Sequence, residues 1–339
     1  MSSGARGVVH LACSRGGHLD LLLRHAEAFA GSGIVWVTQD SARAERLRSE
    51  GNEVHFLGEW HGPVNRAAAR TIGRSLKLVL KQRPRVVVTS GSGIVVPFCL
   101  MARLAGAKVV FVETSARVRG PSSSGRVLSR LADHVIAQWE DMRSVYPHAT
   151  IARTSIVGGL ATDSPAAGNG TFVAVGTHSQ PFERLLRAVD RAAADGILPT
   201  PVVAQVGPSV YQMQHAETLD FVTSQAIDEA IGRARLVVCH AGTGTIATAL
   251  RAGRRPLVMA RLQRHAEHFD DHQQQILDKL AALDLIVPIA GEITAADLAR
   301  AERPLHLPDE LSDLPELVDC LGALVRQLLG APRRAWAPV

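Results

Sequence analysis

The chain has 339 residues, of which 46% are apolar and 20% charged, proportions that exclude a disordered segment and a disulfide-knotted miniprotein. This length predicts two domains of roughly 150–170 residues rather than one. Aromatic residues make up only 4%, which disfavours an all-β sandwich and an aromatic-lined groove for single-stranded nucleic acid. The four cysteines form no C-x-x-C pair, so they indicate buried thiols in a reducing compartment rather than a zinc ribbon or a redox motif.

The positive charge is concentrated in the first half of the chain. The formal net charge is +5, but residues 1–165 contain 21 Lys and Arg against 12 Asp and Glu, whereas the remainder contains 16 against 20. No acidic residue lies between Glu59 and Glu113, a segment with nine basic residues. Such one-sided charge predicts an anionic partner, which could be phospholipid, lipid phosphate or nucleic acid.

The sequence predicts neither a signal peptide nor a membrane-spanning helix. The N-terminal apolar run is short and is followed at once by glycines. The apolar stretch Val86–Ala102 contains Ser, Gly and Pro, and a spanning helix needs about 20 mostly apolar residues. We therefore expect a cytoplasmic protein.

Strands and helices alternate through the first half. Apolar runs predict strands at Val8–Cys13, Ile34–Val37, Val54–Leu57, Val86–Thr89, Val109–Glu113 and His134–Gln138. Helical periodicity predicts helices at Leu19–Phe29, Arg66–Lys81 and Val95–Leu104. Strands separated by helices of this length indicate a parallel, doubly wound α/β sheet.

The same pattern restarts after a linker-like segment at Ala161–Gly170. Strands are predicted at Phe172–Val175, Val202–Gln205, Leu236–Cys239 and Pro256–Met259, and helices at Pro181–Ala194, Ala226–Ala234, His272–Ala282 and Pro315–Leu329. The predicted domains are residues 1–163 and 170–314, followed by a C-terminal helix and tail at 315–339. Two such domains are expected to face a ligand-binding crevice.

Three glycine-rich turns lie where a strand is followed by a helix. They are Gly16-Gly17-His18, Ser90-Gly91-Ser92-Gly93 and Gly242-Thr243-Gly244-Thr245. Glycine lets the backbone approach a ligand closely, and the following helix offers free N–H groups to a phosphate. None of the three matches the NAD-binding or P-loop fingerprint, and each taken singly is equally consistent with a tight turn.

These motifs, in this order, carry a resemblance to a known family. The first half, with Ser14-Arg15-Gly16-Gly17-His18 and Glu113-Thr114-Ser115-Ala116-Arg117, resembles the acceptor-side subunit of the eukaryotic two-subunit UDP-GlcNAc:dolichyl-diphosphate-GlcNAc transferase. The second half, with His240–Thr245 and Glu267–Gln273, resembles its donor-side partner, and bacterial capsule and exopolysaccharide transferase pairs are similar. The resemblance spans roughly residues 7–290 and is of the MurG-like, glycosyltransferase family 28 type. It implies a GT-B fold, a UDP-sugar donor, inversion at the anomeric carbon and no metal or other cofactor.

Inverting transfer needs a base that takes the proton of the acceptor hydroxyl. His18 follows a glycine turn at the end of the first strand, and the pKa of free histidine near 6.5 suits this task; MurG-like enzymes have a histidine at a similar turn. Glu113, at the end of another strand, is the rival base. The alternatives are that His18 caps its helix or binds an acceptor phosphate, and that Glu113 forms a buried salt bridge with Arg117 or Arg119.

The donor site is predicted in the second half. No D-x-D motif is present, so backbone N–H groups, a helix dipole and hydroxyls would bind the diphosphate. The resemblance assigns sugar hydroxyls to Glu267, Asp271 and Gln273. The full predicted donor set is Gly176, Thr177, Gln205, His240, Gly242, Thr243, Gly244, Thr245, Glu267, His268, Asp271 and Gln273. His268 and His272, four residues apart, leave a zinc site or a solvated helix start as alternatives.

The acceptor site and the membrane surface are predicted in the first half. The predicted acceptor set is Gly16, Gly17, Ser90, Gly91, Ser92, Arg117, Arg119 and Arg126. The three arginines are included because guanidinium groups match phosphate oxygens. A cationic helix face is formed by Arg66, Arg70, Arg74, Lys77 and Lys81, with an apolar edge at Leu76, Val79 and Leu80. This face predicts peripheral membrane association, with an ordinary solvated face as the alternative; no motif accompanies the charges to support nucleic-acid binding.

The expected function is a fused, inverting UDP-sugar hexosyltransferase acting on a lipid-linked saccharide or lipid phosphate at the inner face of the plasma membrane. One position departs from the family pattern, because Thr248 stands where many members carry an acid for the ribose hydroxyls. A natural-product transferase, a UDP-sugar epimerase or hydrolase, and a non-catalytic scaffold are the alternatives. The sequence leaves the sugar, the acceptor, the linkage and the oligomeric state undetermined.

Overall fold

The computed structural model describes residues 7–60, 65–162, 168–220, 223–268 and 271–331. The chain divides into two compact units, one of residues 1–154 and 314–339 and one of residues 155–313. We expected the first boundary at residue 163 and a separate C-terminal segment. Half of the predicted linker, residues 163–167, and the tail from residue 332 lie outside the described residues.

The first unit is built on a seven-stranded sheet in which every paired strand is parallel. Its strands are β1 (Val8–Ala12), β2 (Gly33–Thr38), β3 (Glu53–Phe56), β4 (Val86–Thr89), β5 (Lys108–Val112), β6 (His134–Ala137) and β7 (Thr150–Ile151). Its helices are α1 (Gly17–Arg24), α2 (Ala42–Ser49), α3 (Arg66–Gln82), α4 (Val96–Leu104) and α5 (Ser123–Leu131). The strand order β3-β2-β1-β4-β5-β6-β7 reverses between β1 and β4.

This reversal brings two of the predicted turns together. Ala12 at the end of β1 pairs with Val37 on one side and with Thr89 at the end of β4 on the other. The loops that follow β1 and β4 therefore leave the sheet side by side at its carboxyl edge. In doubly wound sheets this switch point is where ligands bind.

The C-terminal helix belongs to the first unit. This helix packs on the core of that unit through Leu317, Leu321 and Val325, which are almost fully buried. Arg85 donates hydrogen bonds to the carbonyl oxygens of Leu329 and Ala331, at the C-terminal end of this helix. The amphipathic pattern predicted the helix, but the unit that would bury its apolar face could not be read from that pattern.

The second unit is a six-stranded parallel sheet. Its strands are β8 (Thr171–Ala174), β9 (Val202–Gln205), β10 (Glu217–Leu219), β11 (Leu236–His240), β12 (Leu257–Met259) and β13 (Val287–Pro288). The remaining helices are α6 (Glu183–Ala194), α7 (Ser224–Arg233), α8 (Thr243–Arg251), α9 (His272–Ala282), α10 (Ala295–Ala301), α11 (Asp309–Ser312) and the C-terminal α12 (Leu317–Gly330). The order β10-β9-β8-β11-β12-β13 reverses between β8 and β11, so the loops after these two strands are neighbours.

Most predicted elements are confirmed, and the differences have local causes. The helix predicted over Leu19–Phe29 ends at Arg24 and continues as a 3-10 turn at Ala26–Phe29. The short helices α2, α5, α10 and α11 and the short strands β7, β10 and β13 were not predicted. Cys13, Cys99 and Cys239 are buried free thiols, as expected, and Cys320 is partly buried. Within the described ranges, no helix combines the length and the apolar character needed to cross a bilayer.

Candidate active site

His18 lies at the start of α1, at the switch point of the first sheet. Its Nδ1 lies 2.9 Å from the carbonyl oxygen of Ser90, in the loop after β4. A carbonyl can only accept, so Nδ1 carries the proton and Nε2 keeps the lone pair. Burial lowers the pKa of His18, an effect that the hydrogen bond to Ser90 partly offsets. The ring is therefore a neutral imidazole at physiological pH, which is the form that a general base requires.

The other predicted acceptor-site residues of the β1 and β4 loops surround this histidine. Gly16 has a φ of 75° and precedes α1 without a side-chain cap, so the notion that His18 caps its own helix is not supported. Gly91 has a φ of 100°, and a Cβ there would approach Phe111, the Oγ of Ser124 and the His18 ring. The N–H of Ser92 donates to the Oγ of Ser124. The turn is thus held against both α1 and the start of α5.

Glu113 is buried directly after β5, and its carboxylate is used in a hydrogen-bond cluster. It accepts from the Tyr146 hydroxyl at 2.8 Å, from the backbone N–H of Thr114 at 3.1 Å and from Ser122 at the start of α5. Burial, followed by the charge of Glu113, raises the pKa of Tyr146, so the tyrosine remains a donor. These contacts fix the 114–122 loop.

The three predicted phosphate-binding arginines lie in or after this loop. Arg119 and Arg126 are exposed, and Arg117 is half-buried. The Nε of Arg119 lies 3.9 Å from a carboxylate oxygen of Asp141. The charges of Arg117 and Arg126 both act on Tyr146, which places these two guanidinium groups near the Glu113 cluster.

His240 occupies the switch point of the second sheet, between two glycine turns. A Cβ at Gly176, after β8, would come within 2.5 Å of the His240 ring, and a Cβ at Gly242 within 2.1 Å. The two glycines are therefore needed to admit the imidazole. Burial, and next the charge of Arg261, lower the pKa of His240 to about 4, so its ring is neutral at physiological pH.

The predicted diphosphate-binding turn opens α8. Gly242 is the N-cap, and no side chain caps the free N–H groups of the first turn within the described residues. Thr243, Gly244 and Thr245 are partly or fully exposed, as is Thr177 after β8. Gln205, at the end of β9, is buried and donates to the carbonyl oxygen of Gly176 at 3.3 Å. Gln205 therefore stabilises the glycine turn through this buried hydrogen bond.

The three predicted sugar-binding residues differ sharply in their surroundings. Glu267 is buried and paired with Arg184, whose NH2 lies 2.8 Å from its carboxylate, and it also accepts from the N–H of Leu262. Gln273 is buried and accepts from the N–H of Arg261 through its Oε1. Asp271 is exposed and accepts from the N–H of Gln263. The carboxylate of Glu267 thus has protein partners that a sugar hydroxyl would have to displace.

A group of histidine rings lies beside these residues. The ring centroids of His178 and His268 are 4.8 Å apart, and those of His268 and His272 are 4.7 Å apart. Among the residues that the structure describes, no three His, Cys, Asp or Glu side chains are grouped to hold a metal ion. The absence of a metal requirement stays a prediction.

Thr248, the position that departs from the family pattern, is in contact with an acid from another helix. Its hydroxyl donates to the carboxylate of Asp228, on α7, at 3.0 Å and accepts from Arg251 at 2.9 Å. Asp228 was not predictable from the sequence, because its proximity to α8 arises from the packing of α7 and not from spacing along the chain.

Arg261 is the most unexpected residue of this region. It directly follows the run Pro256–Ala260 and is fully buried, with hydrogen bonds to main-chain carbonyls on both sides. Sequence analysis overlooked it because an arginine after a strand is usually exposed.

The helix predicted to meet the membrane presents a wider apolar surface than expected. Arg66, Arg70, Arg74, Lys77 and Lys81 are all exposed on α3. Val79, predicted as part of the apolar edge, is buried in the core, and this prediction is wrong. The exposed large apolar side chains are Ile72, Leu76 and Leu80 on α3 and Leu100 and Leu104 on the neighbouring α4. We call these five residues the apolar stripe.

Two family models match the chain. Residues 65–155 match the family described as oligosaccharide biosynthesis protein Alg14 like. Residues 171–301 match the glycosyltransferase family 28 C-terminal domain. The two matches fall in different structural units and in the order that the resemblance implied.

Individual relatives agree with these matches. The chain is 27% identical over 305 residues to the UDP-N-acetylglucosamine--N-acetylmuramyl-(pentapeptide) pyrophosphoryl-undecaprenol N-acetylglucosamine transferase of Methylococcus capsulatus, covering 82% of each protein. It is 38% identical over 79 residues to UDP-N-acetylglucosamine transferase subunit ALG14 of Mus musculus, covering 22% of this chain and 36% of the mouse protein. The crystal structure of Acinetobacter baumannii MurG aligns with a TM-score of 0.64 at 18% identity, over 95% of this chain and 99% of that one. The predicted GT-B fold is confirmed.

Proposed function

The chain combines an Alg14-like segment with a glycosyltransferase family 28 C-terminal domain, and from this premise we propose that it is an inverting UDP-sugar glycosyltransferase. Its acceptor would be a lipid-linked saccharide or a lipid phosphate at the cytoplasmic face of the membrane. The observation that carries the proposal is the presence in one chain of both modules, each with its glycine turns at the switch point of its sheet.

In the first unit, His18 would act as the base. Its Nδ1–H is held by Ser90, so Nε2 can take the proton of the acceptor hydroxyl as that oxygen attacks the anomeric carbon. Glu113 is assigned a positioning role, because its hydrogen bonds to Tyr146, Thr114 and Ser122 occupy its carboxylate. The exposed Arg126 and the half-buried Arg117 would meet the phosphates of the acceptor.

In the second unit, the start of α8 would bind the diphosphate of the donor. The N–H groups of Thr243, Gly244 and Thr245 and the helix dipole supply positive potential where negative charge develops on the leaving UDP. Gln273 and the exposed Asp271 would orient the sugar. Glu267 supports them through its bond to Leu262 rather than by an open carboxylate.

The acid that many family members carry at the position of Thr248 is replaced, in this proposal, by Asp228. Its carboxylate is held 3.0 Å from the Thr248 hydroxyl and is exposed, so it can accept hydrogen bonds from ribose hydroxyls. Threonine at position 248 is then compatible with a working donor site, which argues against a purely non-catalytic scaffold.

The basic face of α3 and the apolar stripe would form a peripheral membrane contact. Lys and Arg side chains near an anionic surface contribute about 1 kcal/mol each, and exposed leucines enter the headgroup region. The proposal accounts for five exposed apolar side chains on two neighbouring helices, which a solvated face does not need.

A thermal shift series tests the donor site. The protein is heated with UDP, GDP or dTDP, each with and without EDTA. At about 100 times its dissociation constant a ligand stabilises by about 2.7 kcal/mol, which raises the melting temperature by a few degrees. We expect a shift for UDP alone that EDTA leaves unchanged; no shift for any nucleotide would support a scaffold, and a shift abolished by EDTA would overturn the metal-free site.

A further inference from the structure

Arg261 joins two segments that border the proposed donor site. Its NH2 donates to the carbonyl oxygen of Val175 at 2.8 Å, directly before Gly176. Its NH1 donates to the carbonyl oxygens of Gln180 at 2.9 Å and of Glu267 at 3.2 Å. The guanidinium also lies over the ring of Phe182, 4.6 Å from the centroid. One side chain thus connects the loop after β8 with the 261–267 segment after β12.

The charge of Arg261 is not neutralised by a contacting carboxylate among the described residues. Among the described residues, every hydrogen-bond acceptor of its guanidinium is a neutral main-chain oxygen, and its Nε has no acceptor there. Glu267 is the acid whose charge acts on it, but that carboxylate is paired with Arg184 at 2.8 Å. Two guanidinium groups therefore share one carboxylate in a buried region.

This positive charge persists at neutral pH and acts on the neighbouring rings. Burial lowers the pKa of Arg261 to about 10, which leaves it protonated. After burial, its charge is the next cause that lowers the pKa of His240, the ring enclosed by Gly176 and Gly242. A charge in a low-dielectric interior acts over longer distances than one in water. The field of Arg261 therefore reaches the two glycine turns of the switch point.

We propose that Arg261 is a positioning residue of the donor site, which holds the loop after β8 in place and supplies a positive charge, only partly offset by Glu267, that favours a nucleoside diphosphate over an uncharged nucleoside. The inference rests on the proposed function, since it assigns the diphosphate to these turns. Arg261 would attract the diphosphate electrostatically without contacting it, because its side chain lies on the buried side of the two glycine turns. Such a fixed charge costs no reorganisation when the ligand binds.

The test compares the affinities of UDP and uridine for the wild type and two variants. Arg261→Met removes the charge, and Arg261→Lys retains it with fewer hydrogen bonds. In Arg261→Met we expect the ratio of uridine to UDP dissociation constants to fall about tenfold, a size that Coulombic interaction across a partly shielded interior allows. In Arg261→Lys the ratio stays near the wild-type value, even where the melting temperature falls.

A purely structural role gives a different result. If Arg261 only braces the loops, both ligands lose affinity together and the ratio is unchanged in both variants, which would overturn the inference. Arg255→Met is the matched control, because Arg255 is equally buried and also binds main-chain oxygens, but precedes β12 whereas Arg261 follows it. We expect this control to lose stability without a change in the ratio.

If Arg261→Met does not fold, a variant of Glu267 tests the inference instead. Glu267→Gln keeps an oxygen for Arg184 and Leu262 but removes the negative charge that offsets Arg261. UDP lacks the transferred hexose, so the loss of a contact between Glu267 and that sugar does not affect the affinity for UDP. The ratio should rise severalfold, and an unchanged or lower ratio would refute the inference. Failure of the wild type to bind UDP at all would instead refute the proposed function.

Discussion

His18 and Ser90 are joined by two hydrogen bonds between neighbouring loops. The Nδ1 of His18 donates to the carbonyl oxygen of Ser90 at 2.9 Å, and the Oγ of Ser90 donates to the carbonyl oxygen of His18 at 3.1 Å. The first bond fixes the tautomer of the ring, and the second fixes the turn that carries it. The pair lies where the order of the first sheet reverses, so the fold itself orients the proposed base.

Replacing His18 by Asn separates the role of this side chain as a base from its hydrogen bond to Ser90. The Asn amide can still donate to Ser90, but it has no basic nitrogen. We expect turnover to fall by about 10²- to 10⁴-fold, the usual contribution of a general base, with unchanged UDP affinity and melting temperature. Steady-state kinetics measure the turnover, and calorimetry measures the UDP affinity and the melting temperature. Turnover near the wild-type rate would eliminate His18 as the base.

The pH profile of kcat/KM provides an independent test of the same residue. Burial lowers the pKa of His18 below its ordinary value near 6.5, and a base must be unprotonated to act. The midpoint of the acid limb should therefore lie below pH 6.5. An acid limb centred above pH 7 contradicts this expectation.

Gly125, in the first turn of α5, leaves room for the Glu113 cluster. A Cβ there would lie 2.6 Å from the Oε2 of Glu113 and 2.7 Å from the Tyr146 hydroxyl. We expect Gly125→Ala to destabilise the protein by about 1–3 kcal/mol in urea denaturation, the usual cost of overpacking. Gly73→Ala is the control, because nothing lies within 4 Å of its Cβ position in α3. Equal stability of the two variants would show that the Glu113 cluster rearranges to admit the Cβ with no cost in the free energy of unfolding.

The membrane contact can be tested by vesicle sedimentation. Leu76→Ser combined with Leu80→Ser should reduce binding to anionic vesicles at all salt concentrations, because both side chains are about half exposed on the apolar stripe. Arg70→Gln combined with Lys77→Gln should reduce it mainly at low salt, since charge attraction is screened. Val210→Ser is the control, because Val210 is an even more exposed apolar residue and belongs to the second unit. Undiminished binding by both double variants would refute the proposed surface.

His10 should make the protein less stable in acid. The ring is buried in β1, and its two nitrogens have no hydrogen-bond partner among the described residues. Burial lowers its pKa to about 4, whereas the unfolded chain binds the proton near pH 6.5. The unfolded state is therefore favoured as the pH falls from 6.5 to 4, by up to about 3 kcal/mol. His10→Leu should lose less stability between pH 7.5 and 5; an identical loss would exclude His10 as the cause.

The sequence predicted what depends on local pattern. Apolar runs located strands such as Val86–Thr89 and Val202–Gln205 at their observed bounds, and glycine spacing located the turns around His18 and His240. Contacts between distant segments were not predictable in this way. The burial of Arg261, the pairing of Glu267 with Arg184, and the approach of Asp228 to Thr248 depend on how helices and loops pack on the sheet. Glu113 shows the same limit, since its partner Tyr146 is 33 residues away.

Transfer of sugar to a lipid-linked acceptor is the central claim, and radiolabelled UDP-GlcNAc tests it most directly. The label is followed into the lipid fraction and UDP release is followed in solution, with and without vesicles that contain a polyprenyl-diphosphate-linked saccharide. We predict acceptor-dependent UDP release matched by an equal amount of label in lipid, and loss of both in His18→Asn. UDP release at the same rate without acceptor, with no label in lipid, would contradict the account and indicate a hydrolase.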